Sequence, residues 1–212
     1  MVLVIDYGMG NVGSVLNMLR KLGAEARLSA SSADLAAADR FILPGVGSFD
    51  AGMRNLAAMP GYDVLCQRVL EDGIPILGIC LGMQLFSKSS AEGQLPGLGW
   101  IVADTVRIQA PADQPVRLPH MGWNIAEPVR PSPLFPAGME VQRFYFVHSY
   151  HVVCHDEQDV LARTSHGVSF TSSLCRGNIL GAQFHPEKSH RYGLGFLGRF
   201  LQWAPDPKGG RV

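Results

Sequence analysis

The stretch Ile74-Pro75-Ile76-Leu77-Gly78-Ile79-Cys80-Leu81-Gly82-Met83-Gln84 carries an apolar run into a Gly-x-Cys-x-Gly turn. The run reads as a buried strand, and the turn as the point where that strand becomes a helix. Two glycines allow a sharp turn and keep bulk away from the sulfur. Amides at the start of the following helix favour a thiolate and an adjacent oxyanion. This is where an α/β enzyme displays a nucleophile.

A nucleophilic sulfur needs a base, and the base needs an orienting carboxylate. Gln183-Phe184-His185-Pro186-Glu187-Lys188-Ser189, near the other end of the chain, offers both. Pro186 disfavours helix at His185, so an extended reading sends His185 and Glu187 to the same face. The same spacing also fits a strand-end turn with no catalytic role. Together with Cys80 it makes a Cys-His-Glu triad the leading reading.

Composition bounds the partners. The chain has 212 residues, 47% of them hydrophobic and 17% charged, ordinary usage for a globular protein with a sizeable core. A single domain over residues 1–203 is expected, followed by a flexible tail over 204–212 rich in Pro, Gly and charge. Eighteen basic residues balance eighteen acidic ones and no Lys/Arg stripe stands out, so neither nucleic acid nor an anionic membrane is an expected partner. The start, Met1-Val2-Leu3-Val4-Ile5-Asp6, lacks a basic leader, and no stretch approaches about 18 uninterrupted apolar residues. A cytoplasmic protein is therefore expected. The four cysteines, at 66, 80, 154 and 175, have no paired metal spacing, so free thiols, no metal and no cofactor are expected.

The first half alternates short apolar strands with helices. Val2 to Asp6 reads as a strand, followed by a helix capped by Asn11 with Val12, Val15, Leu16 and Leu19 as its buried stripe and Gly23 as its end. Glu25 to Leu28 and Arg40 to Leu43 read as strands, the second stopped by Pro44-Gly45, and Tyr62 to Glu71 as a helix. Such alternation predicts an α/β fold, with a central, mainly parallel sheet flanked by helices and ligands beyond the strands' carboxyl ends. From about Gly99 the strand-like segments Trp100 to Ile108, Arg143 to Val153, Val168 to Leu174 and Ile179 to Phe184 predict an antiparallel or mixed extension, closed by a helix over about Gly193 to Trp203.

Five segments together resemble a class I glutamine amidotransferase. They are Gly-Ile-Cys-Leu-Gly-Met-Gln at 78–84, His-Pro-Glu-Lys-Ser at 185–189, Pro-Gly-Val-Gly at 44–47, Pro-His-Met-Gly-Trp-Asn at 119–124 and Tyr-Phe-Val-His-Ser-Tyr at 145–150. The last two make the chain similar to the glutaminase subunits of imidazole glycerol phosphate synthase, over about residues 2–202.

The resemblance implies attack of a Cys80 thiolate on the glutamine side-chain amide, with His185 as acid and base and Glu187 holding the imidazole. It implies oxyanion donors at the amides of Leu81 and Val46, about 3 kcal/mol each if oriented, and a conformational switch in Gly45, Val46 and Gly47. Gln84 and Glu92 would contact the substrate amino acid, and the backbone at Ser149 and Tyr150 its carboxylate end. Asn11, Trp123, Asn124, Tyr145 and Lys188 would face a (β/α)8 barrel cyclase that receives the ammonia as the other half of a heterodimer. Low activity alone and activation by the partner with its ligand are also implied.

Two departures leave the acceptor open. Gly13 stands where many histidine-pathway members have Arg, and His190 where Gln is frequent. A paralogous group supplies ammonia for amidation of a surface-polysaccharide sugar, so both histidine synthesis and that branch remain as readings. A cysteine peptidase, a catalytically inactive binding protein, and a metal-binding module built from His148, His151, Cys154 and His155 are the readings from other classes.

Overall fold

A computed structural model describes residues 1–111, 113 and 115–205. Most of the expected tail, residues 206–212, lies outside the described residues. The first half comprises β1 Val2–Ile5, α1 Val12–Lys21, β2 Ala26–Ser29, α2 Ser32–Ala37, β3 Arg40–Gly45, α3 Phe49–Ala57, α4 Tyr62–Leu70, β4 Ile76–Cys80 and α5 Leu81–Leu85. The second comprises β5 Ser89–Ser90, β6 Ala103–Arg107, β7 His120–Pro128, β8 Gln142–His148, β9 Tyr150–Cys154, β10 Val160–His166, β11 Val168–Arg176, β12 Ile179–Ala182 and α6 His190–Gln202.

One nine-stranded sheet runs in the order β2-β1-β3-β4-β12-β11-β10-β7-β8. Its first five strands are parallel, and the remaining four continue it antiparallel. A three-stranded sheet, β5-β6-β9, packs beside it. Strand alternation divides the core between the two faces. Val2, Val4, Leu77 and Ile79 join the aromatic and aliphatic side chains of α1 and α6, among them Leu19, Phe196 and Phe200. Leu3, Ile5 and Ile76 pack on the other face with Leu35, Leu56, Leu65 and Phe86.

Several local expectations are refined. Asn11 stands at the start of α1, but its side chain makes no capping hydrogen bond among the described residues; its carbonyl accepts from Val15 N at 3.2 Å. Helices α2 and α3 are additions. Ser31 caps α2 by accepting from Asp34 N, the arrangement that a Ser followed three residues later by Asp favours. Pro44 and Gly45 continue β3 rather than stop it, pairing with Ile79 and Cys80. The β1 ladder already ends at Val4 with Ile42, so the missing Pro44 N–H costs no bond on that side.

The run from Arg143 to Val153 is two strands in two sheets. β8 is the edge of the large sheet, β9 pairs with β6 in the small one, and Ser149 O accepts from Ile108 N at 2.9 Å at the crossing. This crossing lies beside the end of β4, where Val147 O is 3.9 Å from Cys80 Sγ.

Candidate active site

Cys80 ends β4 at φ 54 and ψ −107, a conformation that L residues seldom adopt. Close packing of α5 on β3 holds it there. A Cβ on Gly82 would fall 1.9 Å from Leu43 O, so only glycine lets the helix approach this near. The strain raises the sulfur off the strand end, as an enzyme nucleophile requires. Around it, Gln183 Nε2 donates to Sγ at 3.6 Å. Tyr7 Oη is buried without a hydrogen-bond partner among the described residues. Burial first, and then the nearby Cys80 sulfur, push its phenol well above the usual tyrosine range.

His185 enters the same space from the end of β12. Its N–H donates to Tyr145 O at 2.8 Å. Ser189 Oγ donates to His185 O at 2.6 Å while accepting from Tyr145 N at 2.9 Å. The pairing with Glu187 arises differently from the extended reading. Residues 186–188 form a 3₁₀ turn opened by Pro186, whose fixed φ suits the first position of a helical turn. The turn brings Glu187 Oε1 to 2.8 Å from His185 Nδ1, with both side chains buried.

Burial opposes a charged imidazole, but the Cys80 sulfur and the Glu187 carboxylate outweigh it and raise the His185 pKa to about 10. Nε2 has no hydrogen-bond partner among the described residues.

The expected substrate residues fall into two groups. Gly45, Leu81 and Cys80 meet at one junction: a Cβ on Gly45 would fall 2.8 Å from Leu81 Cβ and 2.6 Å from Tyr7 Oη. Val46 and Gly47 follow as an exposed turn, with Gly47 at φ 110. Gln84 is buried, donating to Tyr150 O at 3.0 Å and Gln183 Oε1 at 3.1 Å. Glu92 accepts from Phe49 N at 2.8 Å and so caps α3 behind that turn. Ser149 and Tyr150 form the crossing between sheets.

The expected partner face is partly assembled. Trp123 and Tyr145 stand opposite each other on β7 and β8 with rings 6.4 Å apart, and Lys188 Nζ lies 5.7 Å from the Tyr145 ring. Trp123, 41% exposed, also stacks on His190 at 5.6 Å. Asn124 turns the other way, donating to Ser165 O at 2.9 Å. Asn11 sits apart, at the start of α1, a helix that packs against the turn at 186–188.

Gln183, Ser189 and Tyr7 carry no individual role in the sequence reading. Gln183 and Ser189 lie on either side of His185, and that closeness in sequence is the signal that could single them out. Among the described residues no helix is long and apolar enough to cross a membrane.

Comparison with known proteins gives the family of the chain. The family model described as glutamine amidotransferase class-I matches residues 3–200. The chain is 46% identical over 202 residues to the imidazole glycerol phosphate synthase subunit HisH 2 of Pseudomonas aeruginosa, covering 95% of this chain and 99% of that one. It is 45% identical over 204 residues to the subunit of the same name in Methanococcus maripaludis, covering 96% and 100%.

Among solved structures, a crystal structure of a glutamine amidotransferase superposes with TM-score 0.73 at 22% identity, covering 95% of this chain and 97% of that one. PurLQS from Thermotoga maritima does so with TM-score 0.71 at 19% identity, with the same coverage. At these identities the two structures speak for the fold alone. The chain belongs to the class-I glutamine amidotransferase family, within the group of the imidazole glycerol phosphate synthase HisH subunits.

Proposed function

We propose that this chain is the glutaminase subunit of a cytoplasmic imidazole glycerol phosphate synthase, hydrolysing glutamine through Cys80, His185 and Glu187 and passing ammonia to a (β/α)8 barrel cyclase. The observation that carries the reading is the buried 2.8 Å pair of His185 and Glu187 set against a sulfur held at φ 54 on a strand-to-helix elbow. His185 takes the Cys80 proton, and the sulfur attacks the δ-carbon of glutamine. The amides of Leu81 and Val46 receive the resulting oxyanion, the Val46 amide after the exposed turn at 46–47 reorients. As the carbon–nitrogen bond breaks, His185 returns the proton to the leaving nitrogen, giving ammonia and a γ-glutamyl thioester. His185 then takes a proton from water, whose oxygen attacks the thioester, and glutamate leaves as the thiol is restored.

Trp123, Tyr145 and Lys188 support a partner surface on the β7–β8 side, with Asn124 behind it and Asn11 apart from it at the start of α1. The barrel subunit would combine the ammonia with a phosphoribulosyl imidazole-carboxamide intermediate to give imidazole glycerol phosphate. A second reading keeps the chemistry and changes the acceptor to a surface-polysaccharide sugar. Two features favour it: Gly13, whose absent side chain faces open space, and His190, which covers Trp123 with a stacked ring.

The test is glutamate release by the purified chain, alone and mixed with the histidine-pathway barrel subunit and its phosphoribulosyl ligand. Strong stimulation by the mixture supports the first reading. Its absence, with Cys80 still labelled by a glutamine-analogue diazo-ketone, moves the acceptor to the second.

A further inference from the structure

Two buried histidines, His120 and His148, stand in register across the β7–β8 pair. His120 Nδ1 is 3.1 Å from His148 Nε2, His120 Nε2 is 3.1 Å from Asn124 Nδ2, and His148 Nδ1 is 2.8 Å from Tyr150 O. Elementary hydrogen-bond chemistry fixes the direction of each proton. A carbonyl oxygen only accepts, so His148 Nδ1 carries the hydrogen and, in a neutral ring, Nε2 accepts. His120 Nδ1 is then the donor, which leaves His120 Nε2 to accept from Asn124.

The Asn124 amide is itself oriented at both ends. Its nitrogen donates to Ser165 O at 2.9 Å, and its oxygen accepts from Ile125 N at 2.8 Å. Burial keeps both rings neutral. It lowers the His120 pKa to about 4, with help from neighbouring His166, and that of His148 to about 3, against the opposing effect of its bond to Tyr150.

The chain ends on the backbone where the polypeptide crosses between sheets. Tyr150 O takes its second bond from Gln84 Nε2 at 3.0 Å. Gln84 continues to Gln183 Oε1 at 3.1 Å, and Gln183 Nε2 to Cys80 Sγ at 3.6 Å. One contiguous path therefore joins the β7–β8 hairpin to the sulfur, with the Tyr150 carbonyl as its junction.

We propose that His120 and His148 are positioning residues for glutamine: the one-way chain from Asn124 through both rings fixes the Ser149–Tyr150 backbone that receives the amino-acid end of the substrate. The inference rests on the glutaminase reading. It goes beyond that reading by assigning a task to two side chains that touch neither substrate nor sulfur. Asn124 acquires a second role as well: its amide anchors the far end of the chain, while its neighbour Trp123 faces outward.

Long-range proton–nitrogen NMR of the histidine-labelled chain in complex with its barrel partner tests the direction of the chain. Both rings should be neutral with hydrogen on Nδ1. A hydrogen on Nε2 of either ring, or a charged ring at pH 7, overturns the proposal.

The complementary test is steady-state glutaminase kinetics in the same complex. His148→Leu should raise KM for glutamine about tenfold and change kcat less than about threefold. His148→Asn, whose amide can replace the Nδ1 donor, should recover most of that loss. Equal effects of the two substitutions, or a fall in kcat with KM unchanged, contradict a positioning role. Should His148→Leu not fold, His120→Phe against His120→Asn makes the same comparison. Wild-type complex that releases no glutamate sinks the glutaminase reading and the substrate half of this inference together, whereas the tautomer spectrum tests the chain by itself.

Discussion

Gly45 and Cys80 are register partners across β3 and β4, so the strand that leads into the exposed turn at 46–47 and the strand that ends in the Cys80 sulfur finish side by side. A methyl group on Gly45 would press on Leu81 Cβ at 2.8 Å and Tyr7 Oη at 2.6 Å. Gly45→Ala should therefore displace the turn from the sulfur and lower kcat by roughly 10²-fold, the size of losing one oxyanion donor. Glutaminase assays of the complex check this. Wild-type kcat in Gly45→Ala would mean that the turn takes no part in the reaction.

The backbone at Cys80 makes an unusual stability prediction. Glycine normally costs about 0.5–1 kcal/mol relative to alanine in regular structure. At φ 54 and ψ −107 the order should reverse, because the strain of a side chain in such a region is of order 1–3 kcal/mol. Urea denaturation should find Cys80→Gly more stable than Cys80→Ala by about 1 kcal/mol. The opposite order would show that the elbow is not strained.

Glu187 should matter through the charge on His185. The folded pKa of His185, about 10, lies above its ordinary value of 6.5, so this site stabilises the fold fully below about pH 6.5 and loses that contribution as pH rises through about 10. Glu187→Gln removes one source of the shift. The stability gap between wild type and variant should be wide near pH 6.5 and narrow toward pH 10, and kcat should fall by roughly 10²-fold, less than on loss of Cys80. A gap that widens as pH rises would reverse the assignment.

Trp123 is the exposed aromatic of the expected partner face. Truncation of such an anchor costs about 2 kcal/mol when it is buried by a partner. Trp123→Ala should weaken binding to the barrel subunit more than tenfold and leave the unfolding free energy of the isolated chain within about 0.5 kcal/mol of wild type. Titration calorimetry with both proteins measures it, and unchanged affinity would remove Trp123 from the interface.

The parallel half of the sheet was legible because β1, β3 and β4 are short apolar runs bounded by turn residues. Cys80 was legible because its glycines serve a local geometric need. Helix α2 escaped because its six residues carry one buried apolar side chain, Leu35, and helix α3 because its cap is Glu92, distant in sequence. The break at Ser149 escaped for a different reason. Residues 143–153 read as one strand, and only pairing with β6, distant in sequence, divides them between sheets. The sequence pairs His185 with Glu187 through an extended backbone; His185 is extended, but Pro186 opens a 3₁₀ turn rather than continuing the strand, and that turn makes the contact. The histidine chain depends on contacts between segments far apart in sequence, which no local pattern encodes.

The central claim is that Cys80 is the nucleophile that frees ammonia for the partner. Synthesis by the complex with the barrel subunit, driven by glutamine in one assay and by ammonium salts in another, tests it most directly. Cys80→Ala should abolish the glutamine-driven reaction and leave the ammonia-driven one at the wild-type rate. Glutamine-driven synthesis that survives the substitution would contradict the account.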